Sequence, residues 1–214
     1  MKKFIASYSG GKDSILAIDR AIRLGYQPVA LLITVDKDKE KSWFHGLSLD
    51  LLKKVEKSIN IPIWTIHSSG DDYRELLLEA LIKGRQAGAE IVIYGDIDII
   101  DHYAWCDALA TEAGLASLFP LWGEDRRSLV NEFINRGFKA LITVVDTKRL
   151  EISFAGHLLD PRICKELETA GVDICGEEGE FHTFCFAGPL FTSEVALVIG
   201  EKIMIEDYCL QLIE

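Results

Sequence analysis

A short apolar run and an apolar helix meet at Ser9-Gly10-Gly11-Lys12-Asp13-Ser14, close to the amino terminus, and few architectures accept such a junction. Lys3 to Tyr8 reads as a buried strand, and Ser14 to Leu24 has the spacing of a helix that Gly25 stops. The two glycines therefore sit in a strand-to-helix turn, where backbone N–H groups approach an anion without a Cβ in the way. The unpaired N–H groups and partial positive charge of the helix start face the same point. Lys12 adds a full charge, and Ser9 and Ser14 add hydroxyl donors. The junction is a phosphate cradle.

The rest of the first half alternates in the same way. Pro28 to Val35 is a continuous apolar run, typical of a strand buried on both faces. Asp36 to Lys41 reads as a solvated loop by its charge density. Leu47 to Ile59 has helical spacing, Ile61 to His67 reads as a strand, and a helix follows from Asp71 to Gly84 or Gly88, with Asp71 or Asp72 as its cap. Ile91 to Gly95 is another buried strand, and His102 to Ala113 a helix closed by Gly114. This alternation predicts an α/β fold with a doubly wound parallel sheet. Ligands of such sheets bind beyond the carboxyl ends of the strands. Three segments reach that edge: the loop after Tyr8, the loop at Asp36, and Gly95-Asp96.

The second half reads as a smaller α+β domain. Ser117 to Trp122 leads into a helix from about Asp125 to Arg136, and Phe138 to Val145 is a strand. Asp160-Pro161 has the form of a helix cap followed by proline in the first turn, with Gly171 ending that helix. Glu194 to Ile199 and Lys202 to Ile213 predict a terminal β-hairpin turning at Gly200-Glu201, an apolar element and a candidate homodimer interface. A boundary near Pro120 divides the chain into 1–120 and 121–214.

The 214 residues carry a formal net charge of −11, so a whole-protein basic footprint for nucleic acid is missing. No apolar run reaches the length of a transmembrane helix. The basic start at Lys2-Lys3 is followed by too few apolar residues for a signal peptide. Cys106, Cys164, Cys175, Cys185 and Cys209 are odd in number and form no CxxC, which fits reduced thiols in a cytoplasm.

The cradle is not a Walker A loop: Lys12 is followed by Asp13, and no glycine lies five residues before Gly11. It resembles the PP-loop of the ATP pyrophosphatase superfamily, S-G-G-x-D-S. That likeness implies a HUP-like nucleotide-binding domain over 1–120 that binds ATP, a grip on the pyrophosphate end of ATP, attack at the α-phosphorus, transfer of AMP and release of pyrophosphate. A second unusual stretch is Cys175-Gly176-Glu177-Glu178-Gly179-Glu180-Phe181-His182-Thr183-Phe184. On local sequence alone it reads equally well as a polar turn before a strand. Over nearly its whole length, however, the chain is similar to the diphthine–ammonia ligase family. That family joins the PP-loop to a distal E-G-G-E-[FY]-[EH]-T segment, to G-D-I with a following H-x-x-W, and to P-L-W. Here these are Glu177 to Thr183, Gly95-Asp96-Ile97 with His102 and Trp105, and Pro120-Leu121-Trp122.

The resemblance implies an adenylating amide ligase: ATP activates a carboxylate as an acyl-adenylate and ammonia displaces AMP. In eukaryotic and archaeal relatives the carboxylate is diphthine on translation elongation factor 2. Phe181-His182-Thr183 and the compact chain look closer to a prokaryotic branch, for which a small carboxylate or other acceptor is the alternative. Glu178 departs from the family glycine. If the position needs φ > 0 the glutamate is strained; otherwise it adds a carboxylate.

These readings name the candidate residues. Ser9, Gly10, Gly11, Lys12, Asp13 and Ser14 would bind ATP, with Gly95 and Asp96 at the next strand end. Asp36 is a candidate for the ribose hydroxyls, with loop formation as the competing role. Asp13 and Asp96 are candidate Mg²⁺ ligands. Lys12, Asp13, Glu177, Glu180 and His182 are the candidate catalytic groups, a carboxylate or imidazole being needed to take the proton of ammonium. Glu178, Gly179, Phe181, Thr183, His102 and Trp105 are assigned to the second substrate. Trp105, Trp122 and Phe181 also suit a trimethylammonium group, with packing in the core as the plainer role. Three other readings compete. Cys175, His182 and Cys185 would hold zinc with one more ligand. A tRNA-thiolating enzyme would want a basic surface and a cysteine pair. A non-catalytic ATP or AMP sensor would leave the glutamates idle.

Overall fold

The computed structural model describes residues 1–43 and 45–214. The first part of the chain runs β1 (Lys3–Ser7), α1 (Lys12–Arg23), β2 (Gln27–Asp36), β3 (Lys41–Ser42), α2 (Leu49–Ile59), β4 (Ile63–Ser68), α3 (Tyr73–Gln86), β5 (Ile91–Ile93), α4 (Ile100–Glu112) and β6 (Ala116–Leu118). The remainder is α5 (Arg126–Asn135), β7 (Lys139–Asp146), α6 (Pro161–Thr169), β8 (Phe181–Ala187), β9 (Ile199–Ile205) and β10 (Tyr208–Ile213). These elements form two compact units. Unit 1 comprises Met1–Ser9, Asp13–Trp43 and Asn60–Glu124; unit 2 comprises Gly10–Lys12, Phe44–Ile59 and Asp125–Glu214.

Unit 1 is the expected α/β layer. Strands β4, β2, β1, β5 and β6 lie parallel in that order, and the short β3 runs antiparallel to the end of β2. The order reverses at β1, with β2 and β4 on one side and β5 and β6 on the other. The crevice of such a sheet opens at the carboxyl ends of the strands where the order reverses. Parallel strands covered on both faces need unbroken apolar sequence. Accordingly Phe4, Ile5, Ala6, Ile91, Val92 and Ile93 are all buried. Ile5, Leu32, Ile66 and Val92 share one core with Leu77 and Leu81 of α3 and Leu109 and Ala110 of α4. Each such side chain taken from water is worth about 1.5–3 kcal/mol.

Unit 2 is built on a four-stranded antiparallel sheet in the order β8-β7-β10-β9. Asp125 caps α5 by accepting the Ser128 N–H at 2.9 Å, and Asp160 caps α6 by accepting that of Ile163 at 2.8 Å. Pro161 opens α6 where its missing N–H costs nothing. Each cap contributes about 1 kcal/mol. Helix α2 buries Leu51, Leu52, Val55 and Ile59, and its Ser58 carbonyl accepts the Thr192 N–H at 2.7 Å.

Two local expectations change. Ala116–Leu118 is a strand rather than a lead-in to α5, paired with β5 from Ile91↔Ala116 to Ile93↔Leu118. The terminal hairpin turns at Glu206-Asp207, between the paired Ile205 and Tyr208, and not at Gly200-Glu201. Glu206 takes the left-handed turn conformation at φ 52°, while Gly200 lies inside β9. Strand β9 lies at the edge of its sheet and exposes Ile199, Met204 and Ile205. No helix among the described residues is long and apolar enough to cross a membrane.

Candidate active site

In unit 1 the crevice residues are the ones flanking the glycine-rich turn after β1. Ser14 Oγ, in the first turn of α1, accepts from the Ser9 N–H at 3.4 Å and the Ser9 hydroxyl at 3.3 Å. Gly95 follows β5 and passes so close to α1 that a Cβ there would stand 3.0 Å from the Ser14 nitrogen and 3.1 Å from the Asp13 carbonyl carbon. Those are backbone atoms that cannot swing aside, so the position requires glycine.

Asp96 is the titratable group beside this contact. Burial raises its carboxyl pKa, and the nearby Asp13 carboxylate pushes the same way. His102 opposes both, its Nδ1 lying 3.5 Å from Asp96 Oδ1. Asp96 with the neighbouring Asp13 carboxylate is a donor set suited to a hard divalent cation, which would offset the repulsion at Asp96. A carboxyl with a raised folded pKa stabilises the fold below its unfolded value, and that contribution is lost as the pH climbs through the folded value. Asp96→Asn is therefore expected to raise Tm at about pH 7 without ATP, with the gain gone by about pH 3. Turnover should fall. Thermal scans at both pH values check the first part, and a variant less stable at neutral pH would contradict it.

The other unit 1 candidates have structural partners. The Asp36 carboxylate accepts the N–H groups of Asp38 at 2.9 Å and Lys39 at 3.0 Å, and so closes the turn after β2. Those bonds hold its pKa below the ordinary carboxylate range. Trp105 stacks on Tyr73 at 5.8 Å, and Tyr73 on Trp43 at 6.0 Å, with both indoles partly exposed. Trp122 instead packs on Tyr103 at 4.6 Å and Phe119 at 6.0 Å.

In unit 2 the glutamate-rich segment holds the middle of the cradle. Lys12 is buried; its Nζ donates to the Cys175 carbonyl and its backbone N–H to Thr183 Oγ1 at 3.1 Å. The Gly10 carbonyl accepts the Cys185 N–H at 2.8 Å. The Lys12 ammonium also lies 6.0 Å from the centre of the buried Phe181 ring. The two sequence motifs are thus joined residue to residue.

The three glutamates do different things. Glu180 is buried, and its carboxylate accepts the N–H groups of Glu178 at 3.1 Å and Asp173 at 3.4 Å, which fastens the loop. Glu177 is half-buried, its N–H donating to Asp173 Oδ2 at 3.1 Å. Glu178 is exposed; its carbonyl accepts from Arg149 at 2.7 Å, and its carboxylate lies 3.8 Å from the same guanidinium. The positive φ angles fall on Gly176 and Gly179, and Glu178 is not among the non-glycine residues that have one. The departure from the family glycine therefore carries no left-handed strain. Cys175, His182 and Cys185 do not form a metal-holding group among the described residues, and the Cys185 thiol turns to the Ala187 carbonyl at 3.5 Å.

One residue here was not signalled in the sequence. His45 meets the His182 ring edge-on at 5.3 Å. Burial, followed by the charges of His182 and Lys12, drives its pKa down to about 3, opposed by a hydrogen bond to the Thr183 backbone. Its Nδ1 is buried with no hydrogen-bond partner among the described residues, a state that costs about 1–3 kcal/mol.

A mostly parallel α/β sheet with a glycine-rich turn after its first strand, followed by a second, smaller sheet, sets the class of fold. Residues 1–117 match the family model of the diphthamide synthase N-terminal domain, and residues 125–214 that of the diphthamide synthase C-terminal domain. The chain belongs to the diphthamide synthase family. Curated relatives named diphthine–ammonia ligase include one from Saccharomyces cerevisiae, 26% identical over 230 residues, covering 88% of this chain and 33% of that protein. The one from Mus musculus is 25% identical over 227 residues, 93% of this chain and 84% of its own length. The one from Homo sapiens is 24% identical over 231 residues, with the same two shares, 93% and 84%. Family membership makes the chain an enzyme of the ligase class that forms carbon–nitrogen bonds. A solved structure described as a predicted subunit of tRNA methyltransferase from Methanocaldococcus jannaschii aligns with 91% of this chain and 100% of that one, at TM-score 0.48 and 16% identity.

Proposed function

We propose that this chain is an ATP-dependent amide ligase that adenylates a carboxylate and aminates it with ammonia, the carboxylate being diphthine on an elongation factor. The observation that carries the reading is the join between the cradle and the distal segment, through Lys12 to Thr183 and Cys175 and through Gly10 to Cys185. A loop that only turned the chain would need no such clamp. The acceptor carboxylate attacks the α-phosphorus, a P–O bond forms, and the bond to pyrophosphate breaks with its electron pair. Ammonia then attacks the acyl carbon; the C–O bond to AMP breaks, and one proton is released.

The residues have separable tasks. The cradle amides and Lys12 hold pyrophosphate, which leaves more readily when its charge is met by preorganised donors. Asp13 and Asp96 would hold Mg²⁺, which supplies further charge neutralisation when bound. Glu177 and His182 serve the second substrate and the proton of the amine. Glu180 acts through the loop it fastens.

The test is product analysis with α-labelled ATP and Mg²⁺, using elongation factor 2 from cells lacking the ligase, with ammonium. AMP and pyrophosphate that depend on the acceptor are the expected result. ADP as product would overturn the cradle assignment. Tight ATP binding without turnover, with this acceptor or with small carboxylates from a fractionated extract, would favour a sensor.

A further inference from the structure

The glutamate-rich segment is held by a residue outside the candidate set. Asp173 uses both carboxylate oxygens on the loop that follows it: Oδ1 accepts the Cys175 N–H at 3.0 Å and Oδ2 that of Glu177 at 3.1 Å. Its main-chain carbonyl accepts the Gly176 N–H at 3.0 Å. The peptide between Cys175 and Gly176 is thereby fixed in its own plane and in those on either side. It is trans, so its N–H and C=O point opposite ways. With the Gly176 N–H turned in to Asp173, the Cys175 carbonyl is turned out, and there it accepts from Lys12 Nζ.

Arg126, at the start of α5, grips the same carboxylate from outside the loop, Nη1 to Oδ2 at 2.7 Å, and both side chains are largely covered. A chain of contacts within unit 2 thus runs from Arg126 through Asp173 and the Cys175 peptide to the Lys12 ammonium. Lysine is among the side chains with most rotamer freedom, so an ammonium placed before the ligand arrives meets an anion at lower ordering cost. We infer that Asp173, anchored by Arg126, is the positioning residue for Lys12: it fixes the carbonyl that sets where the Lys12 charge meets pyrophosphate. This rests on the reading that Lys12 holds pyrophosphate. Asp173 is assigned no contact of its own with nucleotide or acceptor; it acts through Lys12.

A double-variant cycle on the full chain tests this, read as pyrophosphate affinity by ³¹P NMR titration with magnesium pyrophosphate. Asp173→Ala removes both loop acceptors and is expected to raise the pyrophosphate Kd about tenfold, the loss of one to two net hydrogen bonds. In a Lys12→Met background the same change should move Kd less than about twofold, as for two residues that act as a unit. A residue that merely braced the loop would cost the same in both backgrounds, and that result, or no loss in either, overturns the inference. Should Asp173→Ala fail to fold by circular dichroism, Arg126→Gln takes its place, since it breaks the ion pair and leaves the loop's own bonds. The expected rise in Kd is then about threefold, masked by Lys12→Met, with the affinity regained in Arg126→Lys. A rise that persists without Lys12, or no rise, overturns it. So does a wild-type chain that binds no pyrophosphate. Pyrophosphate binding without amide formation sinks the ligase reading alone, and the cycle still decides the role of Asp173.

Discussion

Lys12→Ala is expected to cut AMP formation by about 10²–10³-fold, the cost of removing one preorganised group that meets developing charge. The side chain is buried, so its charge acts in a medium that screens it weakly. Its amine also satisfies the Cys175 carbonyl, and alanine would leave that acceptor bare. Lys12→Met separates the two effects from simple loss of packing, since it keeps most of the stem. If both variants lose turnover while unfolding at the wild-type urea concentration, the loss is electrostatic. Near-normal AMP release from either would remove Lys12 from the mechanism.

Gly10→Ala should be the most damaging single change to the fold of the cradle. The residue has φ 93°, which costs an alanine about 1–3 kcal/mol. A Cβ there would also stand 2.6 Å from Leu47 Cδ1 and 3.4 Å from the Phe184 ring, and overpacking of that kind adds about 1–3 kcal/mol. A combined loss of about 3 kcal/mol by urea unfolding is expected, with ATP binding abolished. Leu47→Ala opens a cavity by itself, yet in the double variant it removes the clash. The two losses should therefore sum to less than their separate values. Strict additivity would show that the backbone angle alone forbids the side chain.

The parts of this molecule that depend on local pattern were open to reading. Ile5 and Val92 sit in unbroken apolar runs because both faces of their strands are covered. Asp125 and Asp160 announce helix starts through the short bonds they make to the next turn. Strand β6 has only three residues and exists by pairing with β5, so no alternation marks it. The hairpin misleads because Gly200 resembles a turn, while the true turn uses Glu206, a residue that rarely takes φ 52°. Helix α2 is legible as a helix, but its apolar stripe of Leu51, Leu52 and Val55 does not say which sheet it will cover. His45 had no motif at all: its meaning comes from Thr183 and His182, which only the tertiary fold brings to it. Glu180 was legible as important, but its use as a clasp on the Asp173 and Glu178 amides depends on loop geometry.

The division of the chain has a consequence for how it is made. Unit 2 draws on Gly10–Lys12 and on α2, which leave the ribosome before the rest of it, and its sheet is completed only by β10. Contacts between such distant stretches form late, because closing a long loop costs entropy before any contact repays it. During synthesis the apolar stripe of α2 must therefore wait until the later stretches of unit 2 emerge. An amino-terminal fragment ending near Glu124 would hold unit 1's sheet but leave Leu51, Leu52, Val55 and Ile59 without the segments that cover them. Such a fragment would be a client for chaperones rather than a working half of the enzyme.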